Sequence, residues 1–90
     1  MVVIKMKLDF RDFVLFLNQG REIEIVFENK KYFFTTKKKN NGILYLFGES
    51  DTLQCNELLV FKNAQELLDL QIQNYSLIEV LLNLQDYIIF

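Results

Sequence analysis

In residues 21–28, REIEIVFE, Ile23, Ile25 and Phe27 recur at every second position, and the glutamates fall on the alternate positions 22, 24 and 28. Successive side chains of a β-strand point to opposite faces, so this period of two predicts a strand with one buried face. The apolar face carries Ile23, Ile25 and Phe27, and the charged face carries Glu22, Glu24 and Glu28. A chain with this strand needs a partner strand and a layer that covers the apolar face.

The partner strand, Tyr32–Lys38, follows directly. A two-residue turn at Asn29-Lys30 would join the two strands, because Asn tolerates a positive φ. The resulting register pairs Glu28 with Lys31, Val26 with Phe33, Ile25 with Phe34, and Glu22 with Lys37. It opposes unlike charges and matches apolar groups, as cross-strand pairs prefer.

A second hairpin turn is predicted at Asn40-Asn41-Gly42, between the strand Tyr32–Lys38 and the apolar segment GILYLFG. We expect a positive φ at Gly42, which glycine adopts at little cost. GILYLFG is apolar on both faces, which is typical of a central strand. LLVF at residues 58–61 predicts a fourth strand after a polar connection.

Helices are predicted at both ends of these strands. In DFRDFVLFLNQG, Asp9 is the expected N-cap, Gly20 the expected stop, and the apolar spacing follows one helical face. That face consists of Phe10, Phe13, Val14 and Leu17, whereas Leu15 and Phe16 lie off it. Residues 1–7 fit either a short strand or an irregular lead-in.

Two capping pairs predict two short C-terminal helices. Asn63 with Glu66 precedes AQELLDLQI, and Ser76 with Glu79 precedes LIEVLLNL. The final DYIIF is too apolar for a free tail, and we expect it to dock as a short strand at the sheet edge. The prediction is a single α+β domain over residues 1–90. It has an N-terminal helix, an antiparallel three- to four-stranded meander, and two short C-terminal helices packed on one sheet face.

The composition argues against most catalytic chemistry. The chain has no histidine, which is the commonest general base and metal ligand, and it has one cysteine, Cys55. The three glycines do not form a phosphate-binding loop. The glutamates of residues 22–28 are expected to form a solvated face rather than a catalytic pair. We therefore predict a protein that is not an enzyme, with no catalytic residues, no cofactor and no metal.

Several short patterns together resemble a known family. These are GREIE, NKKY, F-x-N-x-x-E-L-L and SL-x-E, in this order, over Leu8–Leu84. They resemble an uncharacterised family of very small proteins from low-GC Gram-positive bacteria and their prophages. The patterns are a helix stop, a turn and two caps. The resemblance implies no activity and no site residues.

The predicted function is that of a small protein-interaction or self-associating module. Hydrophobic residues make up 51% of the chain, more than a small domain hides easily. The candidate interaction surface comprises Leu15, Phe16, Val26, Phe33, Leu44 and Leu46. The expected partner is protein, either another chain or a second copy in a homodimer.

Two alternatives remain at this point. One is a nucleic-acid-associated or regulatory factor that uses the hairpin tip of Lys37, Lys38 and Lys39, and whose binding would weaken steeply with added salt. The net charge of −2 argues against it. The other is a phage-type inhibitor of a host enzyme. We expect a cytoplasmic location, since the N-terminal apolar residues are interrupted by Lys5 and Lys7, and no membrane partner.

Overall fold

The computed structural model describes residues 6–49 and 59–90. The first helix is α1 (Phe10–Asn18), and it begins and ends as predicted. The Asp9 carboxylate accepts a hydrogen bond from the Arg11 backbone N–H at 2.7 Å, which caps the N-terminus. Gly20 follows the last turn with a φ of +81°. Phe13 and Leu17 are fully buried.

The strands form one large antiparallel sheet and one small hairpin. The remaining elements are β1 (Ile23–Phe27), β2 (Lys30–Lys39), β3 (Gly42–Glu49), β4 (Leu59–Phe61), α2 (Ala64–Leu67), β5 (Gln71–Ile72), β6 (Tyr75–Ser76), α3 (Leu77–Leu81) and β7 (Asp86–Ile89). The large sheet has the order β4-β3-β2-β1-β7, and β5 pairs with β6. The α+β class is confirmed. The predicted three to four strands become five, because the C-terminal segment pairs with β1 at the sheet edge as expected.

The first hairpin turn lies one residue earlier than predicted. Glu28 and Asn29 form it, with φ values of +49° and +64°, and Phe27 pairs with Lys30. The predicted register was therefore wrong: Val26 faces Lys31, and Phe33 faces Glu24. A turn with two positive φ values can be built on Glu28-Asn29 or on Asn29-Lys30, so the local sequence does not select between these two turns.

A contact with the C-terminal segment holds this turn in place. The Asn29 backbone N–H donates to Gln85 Oε1 at 2.6 Å, and Gln85 Nε2 donates to Asn29 Oδ1 at 3.1 Å. Moving the turn by one residue shifts the pairing of the two strands by two residues. Because side chains alternate with a period of two, every side chain stays on its predicted face. The face assignment therefore survives the error in the register.

The second hairpin turn places its positive φ where the sequence predicts it. Lys39 pairs with Gly42, Asn40 and Asn41 connect them, and Gly42 has a φ of +149°. A Cβ atom on Gly42 would meet no heavy atom within 4 Å. The requirement for glycine is therefore conformational rather than steric.

Gly42→Val is expected to lower the free energy of unfolding by about 1 kcal/mol or more, because valine rarely adopts this φ. Urea denaturation followed by circular dichroism measures the change. The matched control is Lys39→Val, which puts the same side chain on the facing, exposed strand position. Equal stability of the Gly42→Val variant and the wild type would show that the turn does not need this conformation.

The C-terminal helices start at the predicted caps, but the first is shorter than expected. Asn63 Oδ1 accepts from the Glu66 backbone N–H at 2.9 Å, and Ser76 Oγ accepts from that of Glu79 at 3.3 Å. The helix predicted over AQELLDLQI ends at Leu67, and residues 71–76 form the β5-β6 hairpin instead. This hairpin buries Ile72, and the Gln73 side chain donates to the Tyr32 hydroxyl at 2.9 Å.

All three helices contribute to a core on one face of the large sheet. Its sheet members are, on β1 to β3, Ile23, Ile25, Phe27, Tyr32, Phe34, Tyr45 and Phe47. Phe13 of α1 meets Phe34 edge-on with ring centroids 4.8 Å apart. The Tyr45 hydroxyl donates to Asn18 Oδ1 at the end of α1. The prediction that the helices pack on one sheet face is confirmed.

Candidate functional site: the open sheet face

The opposite face of the large sheet is called the open face here. Strand alternation and the observed pairing assign its residues. They are Glu24 and Val26 of β1, Lys31, Phe33, Thr35, Lys37 and Lys39 of β2, Leu44 and Leu46 of β3, Val60 of β4, and Asp86 and Ile88 of β7. Among the described residues, none of these side chains belongs to the hydrophobic core or packs against it.

Four of the six predicted interaction residues come together on the open face. Phe33 lies on β2 opposite Glu24 and Gly48, so Val26 of β1 and Leu46 of β3 are its diagonal neighbours, and Leu44 lies two residues beyond Leu46. All four side chains are half-buried.

The other two predicted residues, Leu15 and Phe16, lie on α1 in the helical layer. Leu15 is 52% exposed. Phe16 packs against the core, and the Arg21 guanidinium lies 5.3 Å from its ring centroid. The six candidates therefore do not form one continuous surface, since the sheet separates these two residues from the open face.

Sequence reasoning missed three exposed apolar residues that extend the open face. Val60 is 54% exposed and pairs with Leu46, and Ile88 is 48% exposed and pairs with Glu24. Phe90 follows β7, is 62% exposed, and donates its backbone N–H to the Glu22 carbonyl. Strand order places them here, and alternation within DYIIF could have marked Ile88 and Phe90 as one face.

On β1 and β2, the charged residues of the open face are separated by sign, with one sign on each strand. β2 carries Lys31 and Lys37 on this face, whereas the neighbouring β1 carries Glu24, with Glu22 just before it. The predicted partner of Lys37 was Glu22, and this was wrong. Pairing between β1 and β2 ends at Ile23 and Phe34, and Lys37 pairs instead with Leu44 of β3.

The three tip lysines lie in β2 rather than in the turn. Lys37, Lys38 and Lys39 pair with Leu44, Ile43 and Gly42, and all three are exposed. Alternation divides them, with Lys37 and Lys39 on the open face and Lys38 on the other. They do not present a single basic cluster on one face.

The carboxylates and possible metal ligands of the described residues show little likeness to the arrangement that a catalytic or metal site needs. Glu28 lies in a turn, so it does not continue the strand face of Glu22 and Glu24. Over residues 6–49 and 59–90, no three His, Cys, Asp or Glu side chains are grouped to hold a metal ion. In the same residues, no helix has the length and apolar character needed to cross a membrane. Cys55 lies outside the described residues.

One shallow depression lies at the turn end of the sheet. It has a volume of about 150 Å³ and is lined by Phe27, Glu28, Tyr75 and Asn83. Phe27 and Tyr75 meet edge-on in its wall, with ring centroids 5.5 Å apart. Its ionisable lining residues are Glu28 and Tyr75. Its volume is below the roughly 300–1,000 Å³ of usual ligand pockets, so the open face remains the candidate site.

Comparisons with protein-family models, with curated proteins and with solved structures found no match. The resemblance to the small proteins of low-GC Gram-positive bacteria and their prophages therefore stays a prediction.

Proposed function

We propose that this chain is a non-catalytic protein-interaction module that binds its partner through the open face. One observation carries the proposal. The helices pack on one side of a five-stranded sheet, and the other side displays apolar residues from all five strands that no described core residue contacts. A two-layer domain needs only one sheet face for its own core, so the second face is free to bind.

The arrangement of residues on the open face supports binding to a protein. Phe33 and Leu46 are near its middle, Lys31, Lys37 and Asp86 lie toward its edges, and Glu24 lies inside it, between Phe33 and Ile88. An apolar centre with a polar rim is the usual anatomy of a protein interface. Val60, Ile88 and Phe90 are exposed apolar side chains toward the margins of this face, and exposed apolar groups favour association over hydration.

The two alternative functions stay predictions. A nucleic-acid role would rest on the tip lysines, which alternation distributes over both faces of the hairpin. A phage-type inhibitor of a host enzyme would be one special case of protein binding, and the open face would then contact the enzyme.

In-cell photo-crosslinking tests the proposal directly. The photoreactive amino acid p-benzoylphenylalanine is placed at position 33, and products are identified by mass spectrometry in the native cells. We expect a discrete protein adduct. The matched control puts the same amino acid at position 75, where Tyr75 is 46% exposed and contacts Phe27 of the opposite face. Adducts that are absent at position 33, or equal at both positions, would overturn the proposal.

A further inference from the structure

We propose that Asn41 is a site of spontaneous chemical modification, where the side-chain amide is converted through a cyclic imide into a carboxylate. Asn41 lies in the second hairpin turn, directly before Gly42, and both residues are exposed. An exposed turn at the tip of a hairpin is a segment that tolerates local rearrangement. This modification is independent of the function proposed for the open face.

The reaction needs only this part of the chain and water. The Gly42 backbone nitrogen attacks the side-chain carbonyl carbon of Asn41, Cγ, and a bond forms between these two atoms. The bond from Cγ to the side-chain nitrogen breaks, and that nitrogen leaves as ammonia with the proton lost from the Gly42 nitrogen. Water then opens the imide at either of its carbonyl groups and yields aspartate or isoaspartate. No oxidant or reductant is needed.

Gly42 leaves the attacking nitrogen accessible. A side chain at this position would crowd the imide ring, whereas glycine has no Cβ. The space is also open, since a Cβ atom on Gly42 would meet no heavy atom within 4 Å. The pairing of β2 with β1 ends at Phe34, and that of β3 with β4 ends at Tyr45. Beyond these residues, no third strand of the described chain holds the hairpin tip, so the turn has room to rearrange.

The surroundings of the other asparagines separate Asn41 from them. Some have a side-chain amide that is held by a hydrogen bond, which keeps it from reaching the next backbone nitrogen. These are Asn18, Asn29, Asn63 and Asn83. No described residue hydrogen-bonds to the side chain of Asn40, Asn41 or Asn74. Asn41 is the one asparagine of the chain that precedes a glycine, so it combines a free amide with an accessible nitrogen.

The product changes both the charge and the main chain of the hairpin tip. Either product places a new carboxylate close to Lys39, which pairs with Gly42 across the turn. Isoaspartate also adds one carbon atom to the main chain before Gly42, so the connection between the two paired residues lengthens. We expect the isoaspartyl form to lose the pairing of Lys39 with Gly42, whereas the sheet beside β1 and β4 stays folded.

Peptide mapping by mass spectrometry tests the proposal. The full chain is incubated at mildly alkaline pH, once folded and once in urea, and samples are digested at successive times. Electron-transfer fragmentation locates each conversion of amide to acid and distinguishes isoaspartate from aspartate. In the folded chain, Asn41 should be converted faster than any other asparagine, and the rate should rise with pH because the Gly42 nitrogen must lose its proton. Asn29 and Asn63 are internal controls, since the fold should slow their conversion relative to urea.

Two variants separate imide formation from other losses of the amide. Asn41→Gln keeps an amide in the turn but would need a larger ring, so conversion at position 41 should be lost. Asn40→Gln is the matched control, and it should leave the conversion of Asn41 at the wild-type rate. A folded chain that converts Asn41 no faster than its other asparagines would overturn the proposal. Aspartate without isoaspartate would do the same, because direct hydrolysis of the amide yields aspartate alone.

Discussion

Replacing Phe34 by alanine is expected to lower the free energy of unfolding by about 3–5 kcal/mol, the usual cost of removing a fully buried phenylalanine side chain. The Phe34 ring is fully buried beneath α1. It contacts Phe13 at 4.8 Å and Phe47 at 4.9 Å between ring centroids. Alanine would leave a cavity beside the rings of Phe13 and Phe47, and the free energy of unfolding for a chain of this length is only about 5–13 kcal/mol.

The adjacent residue provides a matched control for this prediction. Phe33 is the same residue type on the same strand, but it lies on the open face and outside the core. Phe33→Ala should cost about 1 kcal/mol or less in the monomer, because surface truncations leave no cavity. Urea denaturation at low protein concentration, where a dimer would dissociate, measures both variants.

A second pair of variants separates folding from binding more sharply. Phe34→Glu should unfold the chain, since it buries an unpaired carboxylate. Phe33→Glu should remain folded while losing the contact proposed for the open face. A Phe33→Glu variant that unfolds would mean that a segment outside the described residues covers this face, and that Phe33 belongs to the core of the monomer.

Removal of the C-terminal strand is expected to have the second large effect on the free energy of unfolding. A chain that lacks Tyr87–Phe90 should lose about 3 kcal/mol or more of its free energy of unfolding, because two half-buried apolar side chains leave the core. These are Tyr87 and Ile89. β1 would also lose its pairing with β7, and Arg21 would lose the hydrogen bond from its Nε to the Phe90 carbonyl at 2.9 Å. Thermal unfolding followed by circular dichroism measures the loss.

Side-chain variants of the same strand distinguish its two faces. Tyr87→Ser with Ile89→Ser should reproduce most of the loss, since both residues face the core. Ile88→Ser with Phe90→Ser should leave the monomer nearly as stable as the wild type, since both point to the open face or solvent. A truncated chain as stable as the full chain would show that β7 does not contribute to the fold.

The sequence predicts the elements wherever the signal is local. Alternation over residues 21–28 identifies the buried and open faces of β1, because the side-chain period of a strand is independent of its partner. Asp9, Asn63 and Ser76 mark three helix starts, because each cap is formed within three residues of the chain. Gly42 marks the second turn for the same reason. These features persist in the structure.

The tertiary structure decides features that depend on distant residues. The first turn falls on Glu28-Asn29 because Gln85, which is 56 residues away from Asn29, forms two hydrogen bonds with Asn29. Residues 71–76 form a hairpin rather than helix, and this hairpin buries Ile72 and places Gln73 against the Tyr32 hydroxyl. Local propensity could not reveal these contacts, since their partners are far apart in the sequence.

In the candidate site too, the sequence determines some features and the tertiary structure decides the others. The sequence by itself determines that Val26 and Phe33 share a face, and a register shift of two residues cannot change that. Only the strand order brings Val60 and Ile88 to the same face. Only the packing of α1 on the core side of the sheet separates Leu15 and Phe16 from that face. Side-chain direction is a property of the local backbone, whereas adjacency of strands depends on how the whole chain packs.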